Sequence, residues 1–291
     1  MENECSKGRN RKYTQMDYEQ PKRKLAHAQS SSLPSEIITE ILIRLPIKIL
    51  LRFQSVSKFW FALISSPQFV KAHLVKNKDY THQRIMRTCI GHQMNSIKVY
   101  PMQSLNYESV TNPYDLDCPL KNHFMIVGSV NGLICLAFGA HRFLIWNPSI
   151  RKFKKVASLE IASGSHIAGF GYDELYDDYK LVSIFCGVKV EIYSLKRNSW
   201  RKIDDFQVGE VKSRLPTLVN SKLHWVTRCG DILSIDLTDE KWGRLEQPFY
   251  GEGDDGFDLG VLKTDLSMFR YYERMTCGHT NQGYNNEGSK H

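Results

Sequence analysis

Three segments of this chain align without gaps: Phe143-LIWNPSIRKFKK-Val156, Val190-EIYSLKRNSWRK-Ile203 and Ile232-LSIDLTDEKWGR-Leu245. Each opens on an apolar residue and carries a large one three positions later (Trp146, Tyr193, Ile235). Each then crosses a polar turn, places an aromatic seven positions further on (Phe153, Trp200, Trp242) and closes apolar. Two strands joined by a polar turn produce this pattern, so the sequence spells one β-hairpin three times. The starts lie 47 and 42 residues apart, the length of a four-stranded propeller blade. A further strand recurs upstream. Val130-Asn131-Gly132-Leu133 stands before the first hairpin as Val219-Asn220-Ser221-Lys222 stands before the third, so the repeat is larger than a hairpin.

A different period governs Leu33 to Phe69. Ser32 is placed to cap a helix whose first turn holds Pro34 and Glu36, both suited to a turn with unbonded N–H groups and a positive dipole end. Ile37, Ile38, Ile41, Leu42 and Leu45 follow at helical spacing until Pro46 forces a stop, giving a helix of about ten residues. Ile47 to Phe53 predicts a second short helix and Val56 to Ile64 a third, the latter carrying Phe59, Trp60, Leu63 and Ile64; a fourth turn extends through Phe69, Val70 and Leu74. Helices this short need tertiary burial to persist. About forty residues cannot enclose so many large apolar side chains, because so small a unit leaves much of its surface wet. The patch is therefore expected to meet a second polypeptide.

Composition narrows the function classes. No stretch reaches the roughly 18 uncharged apolar residues of a membrane helix, and MENECSKGRNRKY lacks the apolar core of a secretory signal. The seven cysteines are scattered without a C-x-x-C pair and no glycosylation sequon occurs, which predicts reduced thiols in cytosol or nucleus. The net charge of +8 includes a surplus of three in residues 1–29, read as a disordered basic tail; the rest is dispersed, without the clustering that nucleic acid requires. The run Pro21-Lys22-Arg23-Lys24 is read as part of that tail in preference to a nuclear-import signal. Residues 30–75 are assigned to a helical domain, 76–122 to a linker and first strands, 123–275 to a β-repeat domain and 276–291 to a disordered tail.

The helical patch resembles the F-box. Leu33-Pro34-Ser35-Glu36, the Ile-Leu pair before Arg44-Leu45-Pro46, Leu50-Leu51-Arg52-Phe53 and Val56-Ser57-Lys58-x-Trp60 match that motif in order. The resemblance implies a three-helix module that docks on a Skp-type adaptor and thereby joins a cullin–RING ubiquitin ligase. Leu33, Pro34, Ile37, Ile41, Val56 and Trp60 are the adaptor-facing residues it implies, with Trp60 as the dominant anchor. The β half resembles the F-box-associated domain of plant F-box proteins, including the S-locus F-box group. The motifs that carry this are Gly128-Ser129-Val130-Asn131-Gly132-Leu133, Trp146-Asn147-Pro148-Ser149, Gly169-Phe170-Gly171-Tyr172-Asp173 leading into Asp177-Asp178-Tyr179-Lys180, Asn198-Ser199-Trp200 and Ser234-Ile235-Asp236-Leu237. The expected fold class is α+β, an F-box followed by an incomplete, propeller-like all-β domain. Leu259-Gly260-Val261-Leu262 begins another unit before a polar, aperiodic end, so the last blades are expected to be missing.

Catalytic signatures fail on spacing. Gly128-Ser129-Val130-Asn131-Gly132 lacks the G-x-S-x-G order of a nucleophile elbow, and Glu174 stands where a dinucleotide fingerprint needs its last glycine. Cys89-x-x-His92 and Cys277-x-His279 supply half-motifs where a closed zinc site needs four ligands. Asp173–Asp178 and Glu252–Asp258 miss the calcium-loop pattern and are read as solvated turns. The reading is a non-enzymatic substrate-recognition subunit with no cofactor, metal, nucleic acid or membrane among its partners, and with the protein target unknown. Its rivals are a truncated decoy that binds adaptor but no target, and a propeller enzyme or ligand-binding protein.

Overall fold

Each predicted hairpin forms, and its two marker residues face each other. Trp146 pairs with Phe153, Tyr193 with Trp200 and Ile235 with Trp242 across their strands. The turns share a construction that composition concealed. At the fifth position of each segment a side-chain oxygen accepts a turn N–H: Asn147 from Ser149 at 3.0 Å, Ser194 from Arg197 at 3.0 Å and Asp236 from Thr238 at 2.8 Å. Four positions later the backbone turns left-handed, at Arg151, Asn198 and Glu240, with φ of 54°, 56° and 59°. None of these is glycine.

The computed structural model describes residues 14–15, 34–77, 84–90, 95–101, 113–121, 123–139, 142–157, 166–185, 189–203, 211–213, 215–246 and 257–270. The strands fall into consecutive sheets. β2 (Arg84–Ile90), β3 (Asn95–Pro101) and β4 (Tyr114–Leu116) form the first. β5 (Phe124–Val130), β6 (Leu133–Phe138), β7 (Arg142–Asn147) and β8 (Lys152–Lys155) form the second, and β1 (Thr14–Gln15) adds to β8 in parallel. The third runs β9 (His166–Asp173), β10 (Asp178–Phe185), β11 (Lys189–Ser194), β12 (Ser199–Lys202); the fourth β13 (Thr217–Val219), β14 (Lys222–Val226), β15 (Ile232–Asp236), β16 (Trp242–Leu245). β17 (Phe257–Leu262) and β18 (Asp265–Arg270) pair in the last. Two-residue turns with both φ positive join β5 to β6 at Asn131-Gly132 and β13 to β14 at Asn220-Ser221, which explains the upstream recurrence.

Alternate residues of one strand face alternate neighbours. On β7, Leu144 and Trp146 pack toward Ile97 and Val99 of the first sheet, while Phe143 and Ile145 pack toward Phe170 and Leu181 of the third. On β10, Leu181 faces the second sheet, while Val182 and Ile184 face Leu223, Trp225 and Leu233 of the fourth. Val226 and Ile232 then meet Phe257 of the last. A sheet buried on both faces needs an apolar residue at nearly every position, as these strands have. Close stacking also explains Gly169-x-Gly171 on β9. A Cβ at Gly169 would lie 2.7 Å from Pro216 and 2.8 Å from Trp225, and one at Gly171 2.5 Å from Leu237. Ile97 and Val99, with Met86 and Leu116 beside them, thus join the core from a stretch expected partly as linker.

Two acidic positions read as solvated turn are buried. Asp173 is sealed: its Oδ2 lies 3.0 Å from Lys180 Nζ, and its Oδ1 accepts from Leu175 N, Tyr176 N and Thr238 Oγ1. Lys180 reaches Glu240 at 3.0 Å and donates to the Leu237 carbonyl, tying the third sheet to the fourth. Asp178 accepts from Ser194 Oγ and from Lys196 N at 2.9 Å, bracing the β11–β12 turn. Only Glu174–Asp177 between them are exposed. Of the Glu252–Asp258 stretch, residues 252–256 lie outside the described residues.

Candidate functional site

The helical module contains four helices: α1 (Ser35–Leu42), α2 (Ile47–Phe53), α3 (Lys58–Ile64) and α4 (Pro67–Lys76). Pro34, with ψ of 145°, is the N-cap of α1, displacing the expected cap at Ser32, which lies outside the described residues. Glu36 answers the open N-terminus. Its carboxyl sits below the usual carboxylate range because the first-turn backbone and Ser35 hydrogen-bond to it. Pro46 caps α2 in the same extended conformation. Ser57 accepts from Trp60 N at 3.1 Å to start α3, leaving Val56 in the preceding turn, and Ser66 accepts from Phe69 N at 3.2 Å to start α4. The expected fourth turn is the longest helix, ten residues. It closes the bundle: His73 Nε2 lies 2.9 Å from the Leu45 carbonyl, and Asn77 Nδ2 donates to the Ile43 carbonyl at 3.1 Å, satisfying groups at the end of α1.

Ile38, Leu42, Ile43, Leu50, Ile64 and Phe69 are buried, with Leu45, Phe53, Trp60 and Leu63 packed against them, so this core is made wholly of helical-module residues. The apolar positions of α1 split into two stripes. Ile38 and Leu42 face the core, while Ile37 and Ile41, equally spaced, are 47% and 51% exposed. Val56 is 63% exposed, and Ile47, Phe59, Phe61, Val70 and Val75 are exposed as well.

Of the predicted adaptor-facing residues, Pro34, Ile37, Ile41 and Val56 lie on the surface and Leu33 is outside the described residues. Trp60 differs. It is half-buried and meets Phe53 edge-on at 5.1 Å, so it supports the surface from beneath. Among the described residues, an ion pair joins the module to the β domain: Lys71 Nζ to Asp177 Oδ2 at 3.0 Å. The hydrogen bond from the Tyr172 hydroxyl, then that from Lys71, holds the Asp177 carboxyl below the usual range. Both partners are half-exposed, so the pair contributes about 1 kcal/mol at most.

No cluster of three metal-ligating side chains occurs among the described residues, and no helix there is long and apolar enough to cross a membrane. Burial pushes the Cys118 thiol up to about 11 and Cys135 higher still, which keeps both protonated and poorly nucleophilic. His92, Cys277 and His279 lie outside the described residues.

Comparison with known proteins bears on both halves. The family model described as F-box associated beta propeller domain matches residues 86–277, and the F-box domain model matches residues 30–72. F-box/kelch-repeat protein At3g23880 of Arabidopsis thaliana is 30% identical over 263 residues, covering 82% of this chain and 72% of that one. F-box protein CPR1 of the same plant is 28% identical over 288 residues, covering 84% and 68%. Among solved structures, the WD40 domain of SCAP from fission yeast gives a TM-score of 0.40 at 9% identity, over 65% of this chain and 48% of that one, too slight a likeness to bear on function.

Proposed function

Because the chain belongs to the F-box proteins that carry an F-box associated β-propeller domain, we propose that it is the substrate-recognition subunit of a Skp-cullin-F-box ubiquitin ligase. The observation that carries this reading is the uncovered stripe of the helical module, Ile37, Ile41 and Val56 above a core that is already closed. Covering such side chains in a partner groove contributes about 1 kcal/mol or more each. Leu33, Pro34, Ile37, Ile41 and Val56 meet the Skp-type adaptor, and Trp60 holds their backbone in place. The β domain holds a protein target near the ubiquitin-charged enzyme. Its contribution is proximity, which raises the effective concentration of target lysines without chemistry by this chain.

The test is reconstitution. The full chain is co-expressed with a Skp-type adaptor and a cullin–RING pair, and the cullin is measured in the pull-down. Wild type is expected to retain the cullin and the Ile37→Asp, Ile41→Asp double variant to lose it. Cullin retained by the double variant, or absent from wild type, contradicts the proposal.

A further inference from the structure

Two turns of the third sheet are braced in the same way. In the β9–β10 turn the Tyr172 hydroxyl donates to Asp177 Oδ1 at 2.5 Å, and in the β11–β12 turn the Tyr193 hydroxyl donates to Asn198 Oδ1 at 2.6 Å. Each acceptor follows its tyrosine by five residues and adopts the left-handed backbone, with φ of 52° and 56°. Asn and Asp reach that conformation more readily than most side chains. Asn198 demonstrates that such a turn needs a side-chain carbonyl at this position and no charge. The negative charge of Asp177 is therefore surplus to the turn.

That charge meets the helical module. Asp177 Oδ2 lies 3.0 Å from Lys71 Nζ on α4, at the tip of a turn whose residues Glu174 to Asp177 are exposed. Lys196, whose Nζ donates to the Tyr176 carbonyl at 3.0 Å, adds a second positive charge near the carboxylate.

Both ends of the Lys71–Asp177 pair are firmly mounted. On the β side Tyr172 holds Asp177 itself, and the next residue, Asp178, is buried and accepts from Ser194 Oγ and Lys196 N. On the helical side Phe69 and His73, flanking Lys71 in α4, are buried in the module. His73 and Asn77 in turn meet the Leu45 and Ile43 carbonyls at the end of α1, the helix that carries Ile37 and Ile41. A constraint on Lys71 is thereby a constraint on the exposed stripe.

We infer that Asp177 is a positioning residue: it docks the helical module on the β9–β10 turn and so sets the direction in which the β domain faces the ubiquitin-charged enzyme. This inference rests on the reading of the chain as a ligase subunit. Transfer by proximity depends on orientation as well as on tethering, because a lysine reacts only where it is presented. A half-exposed pair changes the ratio of orientations by about fivefold at most. Its effect therefore falls on which lysines are reached and leaves folding intact.

The experiment has two readouts on the full chain. Carbodiimide coupling, which joins a carboxylate to an amine in contact with it, is expected to link Asp177 to Lys71 in the wild-type chain. The chain is then assembled with a Skp-type adaptor and a cullin–RING pair and supplied with ubiquitin but no target, and the modified lysines of the β domain are mapped by mass spectrometry. Wild type is compared with Asp177→Asn, Lys71→Gln and the double variant. Asp177→Asn keeps an acceptor for Tyr172, so its melting curve and adaptor affinity are expected to match wild type. Relative yields among the β-domain lysines are expected to change at least twofold in either single variant and to change no further in the double variant. A missing Lys71–Asp177 link, wild-type yields in Asp177→Asn, or additive changes in the double variant overturn the proposal. The link is read without the ligase, so a linked chain that recruits no cullin overturns the ligase reading and leaves the docking contact standing.

Discussion

Among the described residues, the helical module buries six large apolar side chains and leaves eight exposed, whereas the rest of the chain buries thirty apolar residues and exposes ten large ones. Both regions draw on Ile, Leu, Val, Phe and Trp. They differ in what covers them. A strand sends alternate side chains to opposite faces, and each sheet of the β domain has another sheet on either side or on one side, so a run such as Phe143-Leu144-Ile145-Trp146 is hidden at every position. A helix in a four-helix unit has one inward face. Ile37 and Ile41 lie next to Ile38 and Leu42 in sequence yet on a surface that no helix of the module covers. The sheets bury most of their apolar residues against one another, and the helices leave more of theirs uncovered than buried.

That contrast breaks first in stability. Trp225 is fully buried between the third and fourth sheets, so Trp225→Ala is expected to cost about 3–5 kcal/mol in urea unfolding. A loss under 1 kcal/mol would mean the stacked-sheet core is not formed. Lys180→Met strands the Asp173 carboxylate inside the boundary between the same two sheets and leaves Glu240 with Arg201 as its cation, and is expected to cost about 3 kcal/mol. Gly171→Val drives a side chain into Leu237 and Leu218, with an expected loss of about 1–3 kcal/mol.

The helical side sharpens the contrast through a pair of variants. Trp60→Ala should weaken adaptor binding and destabilise the chain together, since Trp60 packs on Phe53 and the module core. Val56→Asp should weaken binding with stability unchanged within about 0.5 kcal/mol. Parallel thermal melts and pull-downs distinguish the two, and equal destabilisation by both would contradict the assignment of faces.

The smallest expected effect concerns pH. Burial lowers the His224 pKa below its ordinary value of 6.5, so the unfolded chain binds the extra proton first as pH falls. Stability from this residue is therefore full above about pH 6.5 and declines on acidification toward the folded pKa, and His224→Asn should flatten that decline. A wild-type slope unchanged by the substitution would sink the prediction.

The hairpins were legible in the sequence because their markers are large, apolar and fixed in spacing, and because each pair meets directly across two strands. The left-handed position was not. Arg151, Asn198 and Glu240 share no side-chain chemistry, and the Asn147, Ser194 and Asp236 oxygens that brace the turns vary in type. The acidic run after Gly171 misled because alternation hides in it: Asp173 and Asp178 end paired strands and point into a network, while the four residues between them form the exposed turn. In the helical module the motif marked the helices, but Ile37, Ile38, Ile41 and Leu42 are chemically alike, so which two face outward depends on how the helices pack. The inward turn of Trp60 depends on Phe53, the last residue of the preceding helix α2.

The most direct measurement compares two equally conservative surface changes by titrating a Skp-type adaptor against Ile41→Asp in the helical stripe and Leu245→Asp on the exposed edge strand β16. The account predicts at least a hundredfold weaker binding for Ile41→Asp and wild-type affinity for Leu245→Asp. Equal affinities for the two would contradict it.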